Sequence, residues 1–179
     1  MRTPPYFIGP LKHTQVGRDW LFGKTYQLTH PFGFVSVQNE FIPVPTYRIH
    51  NAASVPPIIR AFLRPTGSYM DAAVIHDELC DEQGNYDEKD EHRVFDMSAV
   101  PIQLWALRFI HCPAYEFKLE WQRLRPYSYQ VDSAHALDIF YQAMSVPPSP
   151  TKPWIRSIIW AAINSRCGPH WTVEKKTAI

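Results

Sequence analysis

Proline sets the outline of this chain before any other residue does. Seventeen prolines stand in 179 residues. They gather at Pro4-Pro5, at Pro43 and Pro45, at Pro56-Pro57, and at Pro147-Pro148 with Pro150. Each one locks φ and removes a backbone donor, so a regular element rarely runs through such a cluster. The clusters cut the chain into short elements joined by extended connections. Aromatic residues make up 14% of the chain and lie between the prolines. That supply of apolar surface points to a folded chain rather than a disordered one.

Residues 20–50 read as strands. Phe32-Gly33-Phe34-Val35-Ser36-Val37 alternates loosely, and Tyr47-Arg48-Ile49-His50 is short and rich in β-formers. Pro43 and Pro45 are expected to defend sheet edges. After residue 56 the pattern turns helical. Pro57 suits a first helical position and starts a short helix to about Leu63. Ser68-Tyr69-Met70-Asp71 matches a capping box, with helix continuing to about Cys80. Ile102 to Ile110 is apolar, and Ala114 to Arg125 is amphipathic. Asp132-Ser133 caps a helix that runs to Met144. Pro153 opens a last helix, with Trp154, Ile155, Ile158, Ile159, Ala162 and Ile163 at helical spacing, ending near Gly168-Pro169.

The expected fold is therefore α+β, a small N-terminal antiparallel sheet packed on a mostly helical body. It is expected as one domain over residues 1–179. The sheet takes about 20–56, a helical core about 57–82 and 131–168, and a helical insertion about 83–130.

A formal net charge of +1 gives no field to attract nucleic acid. No run approaches the roughly 18–20 apolar residues of a membrane span. Cys80, Cys112 and Cys167 are far apart, and no CxxC occurs, so neither a disulfide framework nor a zinc-cysteine site is expected. The expectation is a protein made in a reducing cytosol and kept there or packaged from it.

The chemistry-bearing stretch is Val74-Ile75-His76-Asp77-Glu78-Leu79-Cys80. His76 and Asp77 interrupt an apolar helical segment and lie about 100° apart on it. Asp138 stands among apolar residues in Ala136-Leu137-Asp138-Ile139-Phe140-Tyr141. A carboxylate buried there needs a cation, a metal or several donors. His76, Asp77 and Asp138 could together hold one divalent ion. His76 could equally act as a general base near neutral pH, with Asp77 orienting it. Asn51 and Ser54, in Asn51-Ala52-Ala53-Ser54-Val55-Pro56, could cap a helix or line a pocket, and His50 could join them in holding substrate. The alternative is that the cluster is a buried structural clasp.

Read in order, three pieces resemble a family of unknown function found in phages and prophages. Its pattern runs VPxGFxTDxASVP, then GxYxxAAxxHDxLY, then ADxxFxxAM. The matching pieces are Val44-Pro45 through Ala53-Ser54-Val55-Pro56, Ala72-Ala73-Val74-Ile75-His76-Asp77, and Ala136 through Met144. The resemblance covers about residues 24–82 and 131–168, and it groups His76, Asp77 and Asp138 a second time. This chain departs from the pattern at His50-Asn51, where the family has Thr-Asp, and at Leu79-Cys80, where it has Leu-Tyr.

Two functions are expected from these observations. One is a phage-type protein with a metal-assisted or His/Asp general-base hydrolytic site at His76, Asp77 and Asp138. The other is a non-enzymatic virion or assembly component in which that cluster is a clasp. Its partners would be other virion proteins or a second copy, met through the insertion and the C-terminal aromatic helix. Host cytoplasm, with incorporation into the particle, is the expected location.

Overall fold

Two antiparallel sheets gather the described strands. The computed structural model describes residues 4–19, 23–30, 32–46, 48–50, 68–80, 93–99, 125–147 and 150–165. The strands are β1 (Tyr6–Ile8), β2 (His13–Asp19), β3 (Gly23–Leu28), β4 (Phe32–Val35), β5 (Glu40–Val44), β6 (Ile49–His50), β7 (Arg93–Asp96) and β8 (Ser128–Gln130). The helices are α1 (Met70–Cys80), α2 (Ser133–Ala143) and α3 (Pro153–Ser165). One sheet has five strands in the order β1-β4-β5-β7-β8, and the other has three in the order β2-β3-β6.

The sheets are more extensive than the sequence suggests. The eight strands correct the expectation of a small sheet on a helical body, although the class is α+β. Strands β1 and β2 precede the expected strand region. The described parts of the expected helical insertion, β7 and β8, are strands of the five-stranded sheet. Tracts of three or four residues show too few alternations to reveal a period of two. The helices expected at 57–63, 102–110 and 114–125 lie outside the described residues, except that Arg125 opens a 3₁₀ turn over Arg125–Tyr127.

The middle strand β5 explains much of the sheet. All five of its residues are buried, as are all four of β4. Strands covered on both faces read as continuous apolar runs, which Phe32-Gly33-Phe34-Val35 shows. Pro43 does not guard an edge. It sits inside β5, opposite Gly33 of β4. Strand β7 pairs only with Glu40 and Phe41, so Pro43 lies beyond the ladder on that side and its missing N–H breaks no bond there. Gly33 is required by this register. A Cβ on it would stand 2.9 Å from the Phe41 ring and 3.0 Å from the Ile42 carbonyl oxygen. The β4–β5 turn closes through Asn39 at φ 64°, a left-handed geometry that asparagine tolerates.

The main core forms where α1 and α2 pack on each other and α1 packs on β5. Phe7, Phe32, Phe34, Ile42, Ile75, Leu79, Ile139 and Phe140 are among its buried residues. Helix α2 begins as the sequence predicts. Asp132 is extended and accepts the His135 amide at 2.8 Å. Pro153 opens α3, also as predicted. No helix among the described residues is long and apolar enough to cross a membrane.

His50 belongs to the smaller sheet. It pairs with Tyr26, stacks on its ring at 5.8 Å, and meets His13 edge-on at 5.5 Å. It is fully buried. Burial, followed by the nearby charges of His13 and Arg48, pushes its pKa down to about 4. An imidazole with a depressed folded pKa stabilises the fold above its unfolded value of 6.5 and loses that contribution as pH falls through about 4. Urea unfolding should therefore show up to about 3 kcal/mol lost between these limits. His50→Gln should remove the share of the slope due to His50, leaving that of His13, which burial shifts the same way, and the opposing share of Asp71 and Asp77, whose carboxyls burial raises. An unchanged slope in His50→Gln would contradict the assignment.

Candidate functional site

Helix α1 is buried along most of its length, and its polar residues divide by direction. Glu78 points into the protein and pairs with Arg48, Oε2 to Nε 3.0 Å, both side chains almost fully buried. Arg48 also donates to the Asp77 carbonyl at 3.1 Å. The Arg48 backbone accepts the Leu28 amide at 2.9 Å and donates to the Pro45 carbonyl at 3.2 Å. One arginine thus ties β3, the chain before β6, and α1 together.

His76 and Asp77 lie toward the edge of this packing, with side chains 17% and 13% exposed. The His76 ring meets the Phe140 ring of α2 at 5.2 Å. Asp77 Oδ1 is 3.9 Å from His76 Nδ1, an ion-pair distance rather than a hydrogen bond. One turn on, Cys80 Sγ lies 3.6 Å from Nε2 and 3.8 Å from Nδ1. A sulfur almost equidistant from both ring nitrogens is in line with neither lone pair. Burial works against charge on His76, but the Cys80 sulfur and the Asp77 carboxylate outweigh it and push its pKa up to about 10. Burial raises Asp77, against the opposing pull of His76 and Arg48.

Asp138 does not join this group. It is exposed on α2 and accepts from Gln142 Nε2 at 2.9 Å and from Gln38 Nε2 at 3.5 Å. Phe140 is two positions further on, about 200° around the helix. Phe140 faces His76, so Asp138 faces away. The pattern ADxxFxxAM gives a second correction. Set in register by Phe140 and Ala143-Met144, its Asp falls on Leu137 rather than Asp138. No group of three or more His, Cys, Asp or Glu residues among the described residues could hold a metal ion. His50, a candidate substrate contact, is sealed in the smaller sheet. Asn51 and Ser54 lie outside the described residues.

A second polar centre was not visible in the sequence. Glu40 opens β5 and is buried. Ser36 Oγ donates to its Oε2 at 2.7 Å and accepts the Gln38 and Glu40 amides at 3.2 Å. Its Oε1 receives the Tyr129 hydroxyl from β8 and lies 2.8 Å from His135 Nε2 on α2. A carboxylate only accepts, so Nε2 carries the proton. Burial raises the Tyr129 hydroxyl pKa, and its bond to Glu40 raises it further. The His135 and Tyr129 side chains reach solvent while Glu40 does not. The centre joins the β4–β5 turn, β8 and the start of α2. Its partners are 89 and 95 residues from Glu40, and only the His three places after the Asp132 cap hinted at it.

Glu40→Gln should lower stability to urea by about 2–3 kcal/mol, because a neutral amide cannot serve several donors aimed at a carboxylate. Amide exchange should quicken first in β8. A variant as stable as wild type would show that the centre contributes nothing to folding.

A family model described as a protein of unknown function (DUF1353) matches residues 26–163. No curated protein and no solved structure gives a match.

Proposed function

We propose, from the premise that the chain belongs to the DUF1353 family of proteins of unknown function, that it is a non-enzymatic structural or assembly component. In this reading the His76-Asp77-Glu78 stretch is a clasp between α1 and the strands beneath it. One observation carries it. The stretch is anchored from within by Arg48, which pairs with Glu78 and bonds the Asp77 carbonyl. Such a group holds a helix at one rotation and leaves its carboxylates little freedom to receive substrate.

The hydrolytic reading needs a third group and a base. Asp138 lies on the wrong face of α2 to be that group. His76 also lacks a carboxylate hydrogen-bonded to it that would orient it as a base, since Asp77 Oδ1 stands 3.9 Å from its Nδ1. The departures from the resembled pattern point the same way. Its Thr-Asp is His50-Asn51 here, and its later Asp is Leu137. Location in a host cytoplasm, with packaging into a virion, extends this proposal.

The test is the metal content of protein purified without chelator, alongside Asp77→Asn and Asp138→Asn. All three should carry far less than one divalent ion per chain, and Asp138→Asn should melt within a degree or two of wild type. Stoichiometric metal in the wild type, lost in both variants, would overturn the proposal and restore a metal-assisted site.

A further inference from the structure

We infer that the groove between α2 and α3 receives an arginine side chain of a partner protein. The inference rests on the assembly reading only in taking the partner to be a protein. The groove has a volume of about 620 Å³ and is lined by Ala134, Asp138 and Tyr141 of α2 and by Ser157, Trp160 and Ala161 of α3. That size falls within the roughly 300–1,000 Å³ of ligand pockets.

Charge complementarity selects the occupant. Asp138 is the acid of this groove, and no ion pair engages it among the described residues. Its Oδ2 is oriented by the amides of Gln142 and Gln38. Neutral donors fix the carboxylate without cancelling its charge. Gln142 is itself held, since its Oε1 accepts the Val37 amide at 3.0 Å and its Nε2 reaches Gln38 Oε1 at 3.0 Å. The result is an anion placed beside aromatic walls.

The walls favour a flat cation. Trp160 is 42% exposed, and Trp154 and Ile158 on the same helix are 57% and 42% exposed. A guanidinium is planar and weakly hydrated, stacks on indole, and donates to a carboxylate at its edge. An ammonium gains less from such a plate. The protein already uses this pairing at the groove itself, where the Arg156 guanidinium lies over the ring of Tyr141 at 5.2 Å and leaves Trp160 as the open aromatic plate. Arg156 makes no ion pair with Asp138, so the groove keeps its negative group. Trp154 and Ile158 would meet apolar neighbours of the incoming arginine, which suits a polypeptide better than a free small cation.

The experiment titrates the full-length ¹⁵N-labelled chain with an acetylated, amidated peptide Ala-Leu-Arg-Leu-Ala. The same peptide with citrulline, arginine's neutral analogue, is the control. The arginine peptide should shift the amide signals of Asp138 and Ser157 and the indole signal of Trp160. It should bind at least about fivefold more tightly than the citrulline peptide, in keeping with an exposed ion pair plus a cation–π contact. Asp138→Asn, which keeps the shape and removes the charge, should abolish that difference. Equal binding of the two peptides, shifts elsewhere, or no binding would overturn the inference. So would free N-acetyl-arginine methylamide binding as tightly as the peptide, which would mark a small-molecule site. Concentration-dependent self-association centred on these residues would assign the groove to a second copy and overturn the partner. None of these failures bears on the clasp, which the metal measurement tests separately.

Discussion

A guanidinium taken out of water must find an anion, and in this fold Arg48 finds Glu78. The requirement fixes more than two side chains. With Glu78 turned inward, the helical repeat places Asp77 about 100° and His76 about 200° away from it. That rotation sets His76 against Phe140 and leaves Asp77 half-buried with its carbonyl on Arg48. The His-Asp pair that looks catalytic in the sequence thus takes its direction from the acid beside it. Losing either partner of such a pair costs about 3–5 kcal/mol, because the other is left charged and buried.

Glu40 repeats the arrangement at the start of β5. There the charge is met by hydrogen-bond donors from three parts of the chain rather than by an arginine. Between them the two acids tie both described sheets to the helices. Glu78 reaches the chain before β6, beside the three-stranded sheet, and Glu40 binds β8 and α2 to the five-stranded one. The apolar core supplies most of the burial, while these acids make the helix rotations and the position of β8 specific. The outer face of α2 is freed by the same geometry. Ala136, Ile139, Phe140 and Ala143 face the core, so Ala134, Asp138 and Tyr141 are left to line a groove with α3.

The helices were readable from local signals. Asp132 caps α2 and Pro153 opens α3, whereas α1 starts at Met70 and its expected cap, Ser68, sends its hydroxyl to Thr151 at 3.4 Å. Each signal acts within one turn. The strands were harder. Strand β2, His-Thr-Gln-Val-Gly-Arg-Asp, is largely polar, and β7 and β8 have four and three residues. The β5 register, with Pro43 in a middle strand, depends on where β7 stops. The outward direction of Asp138 could have been read from the apolar spacing of α2, yet its apolar neighbours in sequence suggested burial. The choice of Glu78 over Asp77 as the inward acid depends on Arg48, 30 residues earlier, and no local pattern encodes that pairing.

The most direct measurement is a double-mutant cycle on the ion pair, by urea unfolding of Arg48→Met, Glu78→Leu and the double variant. If the clasp is structural, each single variant loses about 3–5 kcal/mol, and the double variant is more stable than either, since two apolar side chains of similar size leave no buried charge. Losses that simply add, or single variants as stable as wild type, would contradict the account and return the His76-Asp77-Glu78 stretch to a role outside folding.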